Sequence, residues 1–320
     1  MGRLGSQGIR TAAVVVVGVL ALATLGAMVA VTANRGWRAG GDWVHQAPPQ
    51  TRTAAVADGQ TLTLHLRDGG GVTVVDGPAG QASVTATLRW AGSGRGGTQL
   101  VWAQDQGTAG PEVTVGASPR TWSWFGMSPN VLVQLALPPG VSLRLSEDDG
   151  PVTLGGTHPS ATLAVTNGRV EVNGFHGVLN AADGNGQVAV ADSMIQGDLT
   201  LATVNGRVEV NNTQVDGALQ AHTTNGALDL QGVRLSGAFN LHSENGRISY
   251  AGSGGTGGQA VTVNGAVAFR LDTPATPGHY TVSTRQGQVD WPSAAGPQFG
   301  NITLGTTNGR VNWLGGGSGA

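Results

Sequence analysis

The sequence predicts an all-β chain: a β-solenoid of roughly 20-residue coils with two strands per coil, an irregular β region ahead of it, and one N-terminal transmembrane helix. Three observations predict it. Asn-Gly pairs begin at Asn167, Asn185, Asn205, Asn225 and Asn245, at spacings of 18, 20, 20 and 20 residues. Gly177, Gly197, Gly217 and Gly237 recur between them every 20 residues. Apolar residues hold fixed places in this frame. Three after each Asn stand Val170, Val188, Val208, Leu228 and Ile248, and five after it stand Val172, Val190, Val210, Leu230 and Tyr250. Four before it stand Leu163, Ala181, Leu201, Ala221 and Leu241.

Apolar residues two apart, with polar ones between, give a strand with one buried face. Each repeat therefore reads as two short strands joined at an Asn-Gly corner, where both residues tolerate positive φ. Asn-Gly also marks hairpins, but a meander of hairpins needs no constant coil length. Stacked coils lie ~4.8 Å apart, so equivalent side chains form ladders.

In chain order, residues 1–10 carry Arg3 and Arg10 and no acid, and form a short basic cytoplasmic head. Residues 11–33 are 23 residues without a charge, enough to cross a bilayer as a helix; they read as a retained anchor, with Val31-Thr32-Ala33 as the cleavage site if the segment is a signal peptide. Residues 34–52, with Pro48 and Pro49, read as a linker. Residues 53–145 are an irregular β region, with strands at 60–66, 72–75, 83–90, 98–103, 112–116 and 131–137.

The solenoid spans 146–314, with Asp149-Gly150 as its first corner and Asn264-Gly265, Gln286-Gly287 and Asn308-Gly309 as its last. Gly252–Gly258 interrupts it and leaves the coil count open there. Tyr250, Phe269, Trp291 and Trp313 make the row five after each corner bulkier toward the C-terminus, where large aromatics serve as a cap. Residues 315–320 are a flexible tail.

Composition limits the chemistry. There are 54 Gly, 11% charged residues and no Cys, which excludes disulfides and thiolate metal sites. A net charge of −2 gives no case for nucleic acid. Asp198 and Asp216 flank successive Gly corners and are the nearest approach to a paired-carboxylate site, but Asp is also a turn residue. His222 and His242 fall at the same place in successive coils, ~5 Å apart, as a metal-binding pair or as surface histidines. No third ligand stands in the neighbouring coils, where Ala182 and Ala202 take the place. No G-x-S-x-G elbow and no calcium-binding G-G-x-G-x-D occur. Arg169, Gln187, Arg207, Ala227 and Arg247 alternate charge with neutrality along one ladder, which reads as a solvated outer face.

One stretch looks suited to binding. Residues 117–130 hold Trp122, Trp124, Phe125 and Met127 between Pro119 and Pro129. Large aromatics on a long loop make an interaction hot spot, or fold back as the N-terminal cap.

The phrase LALPPGVSLRLSEDDGPVTLGG (135–156), followed by TNGRVEVNG (166–174) and ATVNGRVEVNN (202–212), resembles the putative-adhesin family of bacterial envelope proteins with short β-strand repeats. The resemblance covers roughly residues 53–314. It implies a right-handed-twisted β-solenoid outside the cytoplasmic membrane and carries over no catalytic residue and no cofactor. The function expected from residues and resemblance together is a non-catalytic binding, adhesion or scaffolding module at the cell envelope. It is single-pass, or secreted after cleavage, with the membrane and an envelope polysaccharide or protein as partners. An enzyme acting on a surface polysaccharide and a self-polymerising scaffold are the alternatives.

Overall fold

The computed structural model describes residues 44–67, 69–91, 99–118, 129–273, 276–291 and 299–313. The expected transmembrane segment 11–33, the tail 315–320 and the aromatic loop residues Trp122, Trp124, Phe125 and Met127 lie outside them. Among the described residues no helix is long and apolar enough to cross a membrane.

The extended elements described are all β strands, joined by turns. The strands are β1 (Val44–Gln46), β2 (Gln50–Ala55), β3 (Thr61–Leu66), β4 (Gly71–Asp76), β5 (Gln81–Ala91), β6 (Gln99–Gln106), β7 (Pro111–Ser118), β8 (Asn130–Leu137) and the continuous, corner-spanning β9 (Ser142–Ala191). Then come β10 (Met194–Thr203), β11 (Val208–Asn211), β12 (Gln214–Val215), β13 (Leu219–Thr223), β14 (Leu228–Leu235), β15 (Phe239–Asn245), β16 (Ile248–Gly254), β17 (Gly257–Asn264), β18 (Val267–Leu271), β19 (Gly278–Trp291) and β20 (Gly300–Trp313). Val44–Gln46 and Gln50–Arg52, inside the stretch expected to be a linker, belong to strands that pair antiparallel with β5.

From β9 onward the pairing is parallel and steps one coil at a time, which makes this part a β-solenoid. Leu199 pairs with Leu179 on one side and Leu219 on the other, and Val208 lies between Val188 and Leu228. The apolar rows face inward as their period requires: Val170, Val188, Val208, Leu228 and Ile248 are buried, as are Leu163, Ala181, Leu201, Ala221 and Leu241.

The coils between Phe175 and Gly254 have a third, shorter face in addition to the two expected strands. Ile195 pairs with Val215, and Val215 with Leu235. Phe175, Ser193, Thr213 and Val233 are buried beside this face. It escaped the two-strand reading because its inward positions mix an aromatic, two hydroxyls and an aliphatic. The hydroxyls are satisfied locally: Ser193 Oγ donates to the Ala191 carbonyl, and Thr213 Oγ1 to the Asn211 carbonyl.

The bend that needs positive φ lies at the entry to this third face, seven residues past the corner Asn. Gly174, Asp192, Asn212 and Gly232 occupy it, with φ of 61, 48, 48 and 65°. Gly, Asp and Asn are the residues that take this conformation at low cost. The corner glycines are there for another reason. A Cβ on Gly186, Gly206, Gly226 or Gly246 would fall on the carbonyl oxygen of the corner glycine one coil earlier. Close stacking of backbones, not left-handed φ, dictates Gly at these corners.

The corner asparagines are stapled to one another. The Asn167 side-chain amide donates to Asp149, Asn185 to Asn167, Asn205 to Asn185, Asn225 to Asn205, Asn245 to Asn225 and Asn264 to Asn245, at 2.8–2.9 Å. Such amide ladders also stabilise stacked in-register strands in fibrils. A second, inner ladder runs parallel to it. The hydroxyls of Thr203, Thr223, Ser243, Thr262 and Thr284 each donate to the corner-glycine carbonyl one coil earlier.

The N-terminal β region is partly solenoid. Strands β3 and β4 form a coil whose rows continue the core: Leu62, Leu64 and Val72 pair in parallel with Leu143, Leu145 and Val152 of β9. On their other side β3 and β4 pair in parallel with β7 and β8. The β3–β4 coil is thus inserted between coils that follow it in sequence. Antiparallel strands finish this end, with β6 on β7 and β5 on β8.

The Gly252–Gly258 tract does not break the stack. Gly252 and Gly254 continue the third face beside Val233 and Leu235. Trp291 is not an end cap; it is wholly buried and sits in register with Trp313 of β20.

Candidate functional site

The core rows fix which side chains face outward, so the surface is a set of ladders. On the first face His222 and His242 are adjacent in register, and their rings stack at 5.2 Å with planes 5° apart. The sequence places them correctly. Face-to-face stacking points the ring nitrogens sideways and not toward a shared centre. Among the described residues no group of three or more His, Asp and Glu side chains converges as metal ligands.

Asp198 and Asp216 do not form a site. Asp198 Oδ1 accepts from the Ala218 backbone amide at 2.7 Å, and Asp216 Oδ1 accepts from the Gln214 side-chain amide at 2.9 Å. Both behave as turn residues, each engaged separately.

On the second face the arginine ladder runs beside a row of acids, and its members differ in how they are held. Arg169 pairs with Glu171 at 2.9 Å. Glu209 accepts from the Gln187 and Asn211 side-chain amides, and Asp229 from Gln231. Arg207 and Arg247 flank Ala227 over a shallow groove and have no ion-pair partner among the described residues.

Three buried titratable groups lie where the reading of the sequence placed none: Glu147, His158 and Asp183. Glu147 and Asp183 stand two before a corner residue, the row that holds the inner-ladder hydroxyls in later coils. That coincidence with Thr203 and Thr223 is the signal that could have found them. Burial pushes the Glu147 carboxyl up to about 8; the Gly70 backbone opposes this and Asp148 and Asp149 add to it. Burial also raises Asp183, against the backbone amides of Asn185 and Gly168. It lowers His158, although Asp76 at 3.8 Å and the Pro138 backbone favour its charge. Perturbed groups mark active sites when they line a cleft. These are sealed in the stack, at 1%, 1% and 3% exposure, so no substrate reaches them and their role is structural.

The expected aromatic binding residues Trp122, Trp124, Phe125 and Met127 lie outside the described residues. The described ends of that loop are Ser118 of β7 and Asn130 of β8, so it joins two strands of the N-terminal end.

No family model matches the chain, and no curated protein matches it. Among solved structures it is similar to a putative adhesin from Parabacteroides merdae, with 11% identity and a TM-score of 0.45 over 82% of this chain and 96% of that one. It is also similar to a putative cell adhesion protein from Clostridium sporogenes, with 7% identity and a TM-score of 0.23 over 83% of this chain and 99% of that one. The architecture described above rests on the chain's own strand pairings.

Proposed function

We propose that the chain is a membrane-anchored, extracytoplasmic β-solenoid that acts as a non-catalytic binding and adhesion module at the cell envelope. The observation that carries this reading is the double ladder at the corners. The outer asparagine amides and the inner hydroxyls lock successive coils together, so the outward rows form a rigid, evenly spaced surface. A preorganised surface binds an extended partner without first ordering itself. The uncharged run at residues 11–33 supplies the membrane anchor, and the partner is an envelope polysaccharide or protein. Trp122, Trp124, Phe125 and Met127 add an aromatic contact at the N-terminal end.

The test is retention of the full chain on envelope fractions after alkaline carbonate and detergent extraction. The reading expects carbonate-resistant membrane association, release by detergent, and saturable rebinding of the released protein to membrane-free envelope material. Trp122→Ser with Trp124→Ser should weaken rebinding while leaving the melting temperature unchanged. Release by carbonate alone would remove the anchor, and no rebinding would remove the adhesion role.

A further inference from the structure

The second outer face carries a feature that its neighbours lack. In the arginine ladder, Arg207, Ala227 and Arg247 occupy one register position in three successive coils. The small Ala227 leaves a depression between two long side chains, and Arg207, Ala227 and Arg247 line one groove whose floor is the buried Leu228. Asp229, Gln231 and Ser249 form its opposite wall.

The charges are not spent within the protein. Arg169, in the same row, is neutralised by Glu171 two residues on. Arg207 has no such partner, because Glu209 is turned to the Gln187 and Asn211 amides. Arg247 has none because Ser249 stands where an acid would. Asp229, the one carboxylate in the groove, accepts from Gln231. Two permanently charged guanidiniums about 10 Å apart along the ladder repel one another, and an anion bound over Ala227 would relieve that. Their planar forks suit a carboxylate or a phosphate.

The opposite wall suits hydroxyls. Asp229 accepts them; Gln231, whose Nε2 already donates to Asp229 and Ser249, accepts through Oε1; the Ser249 hydroxyl donates; and no large apolar side chain is exposed among them. We propose that the Arg207–Ala227–Arg247 groove binds an anionic sugar polymer, its carboxylate or phosphodiester held by the two arginines and its hydroxyls by Asp229, Gln231 and Ser249. The proposal rests on the adhesion reading above and names its ligand class.

The test uses the full chain in detergent, titrated with oligogalacturonate, phosphomannan and neutral mannan by isothermal calorimetry. Saturable binding to one of the two anionic polymers and not to neutral mannan is expected, and the polymer bound identifies the source of the charge. Arg207→Gln and Arg247→Gln should each weaken it by about tenfold or more, with an unchanged melting temperature. Arg310→Gln, in the same row beyond the groove, should leave it intact. Binding that survives Arg207→Gln and Arg247→Gln together, or absence of binding to both anionic polymers, would overturn the assignment. If the double variant also still rebinds envelope material, the groove fails while the adhesion role stands; loss of all envelope binding by the wild type would remove both.

Discussion

The solenoid fills the same cross-section in two ways. In the coils from Leu163 to Leu235 the core is aliphatic apart from Phe175, with Val172, Val190, Val210 and Leu230 in one row and Ile195, Val215 and Leu235 on the third face. From Phe239 onward the same row becomes Tyr250, Phe269 and Trp291, with Tyr250 stacked on Phe269 at 4.7 Å and Phe269 on Trp291 at 4.9 Å. Something must shrink to admit the rings. The third face does: Val233 is followed by Gly252 and Leu235 by Gly254. On the first face Phe239 is followed by Gly258. The glycines fall in the coils of Tyr250 and Phe269, while the next coil buries Tyr280 and Trp291 together. The glycine tract that looks like a break in the sequence is thus the complement of an aromatic column.

The largest test of this comparison is truncation in the shared row. Trp291→Ala should cost about 3–5 kcal/mol, and Val210→Ala about 2 kcal/mol, in urea denaturation of the full chain. Equal losses would mean that the aromatic column is not packed as a core.

Next is the exchange of volume between faces. A Cβ on Gly252 would meet the Tyr250 hydroxyl and the Val233 carbonyl, so Gly252→Ala should cost about 2–3 kcal/mol. In a Tyr250→Leu background, which restores the aliphatic type of Leu230, about 1 kcal/mol of that loss should return. Additive losses in the double-mutant cycle would show that glycine is there for the backbone alone.

A third test probes a buried carboxyl ahead of both parts, in the first corner of the solenoid. The Glu147 carboxyl titrates at 4.5 when unfolded and at about 8 when folded, so the folded chain keeps a proton that the unfolded chain releases. Its contribution to stability is whole below pH 4.5 and is lost as the pH rises through about 8. Glu147→Gln should flatten the decline between pH 5 and pH 8.5 and gain roughly 1–3 kcal/mol at the upper end. An unchanged pH profile would mean that Glu147 is hydrated in the folded state.

The smallest effect belongs to the feature both parts share. Asn205→Ala in the aliphatic coils and Asn245→Ala in the aromatic ones each remove an amide that donates once and accepts once. Each should cost about 1–2 kcal/mol, as the ladder is exposed. A much larger loss at one site would show that the corner does more there than staple coils.

The two long faces were legible because a fixed apolar spacing survives any change of residue type, from Val208 to Ile248. Six strands of the 53–145 region were legible too, but not their partners, and β2, which runs into it from Gln50, was not. Nothing near Leu62 announces that it will lie between Val113-bearing β7 and Leu143. Parallel pairings of that reach leave no local trace. The Asn-Gly corners were found for the wrong reason, since positive φ lies at Asp192 and Asn212 while Gly206 answers to the coil beneath it. The charge alternation of Arg207, Ala227 and Arg247 was visible. The groove it forms was not, because which arginine is neutralised depends on where Glu209 turns.

The inserted β3–β4 coil has a consequence for how the molecule comes into being. A solenoid whose coils stack in sequence order can grow from its first strand as the chain emerges. This one cannot. Leu62 and Val72 are among the first core residues made, yet their neighbours on one side are Leu143 and Val152 and on the other β7 and β8. One edge of β3 waits for β7 and one edge of β4 for β8, and their other edges wait until β9 has been delivered, as far as residue 153 for β4. Contacts of such long reach slow folding and leave strand edges open to wrong pairings meanwhile. Later coils need only the one before them. Assembly is therefore gated at the N-terminal end and then zips toward the C-terminus, and the antiparallel strands β5 and β6 cover the outer edges of β8 and β7.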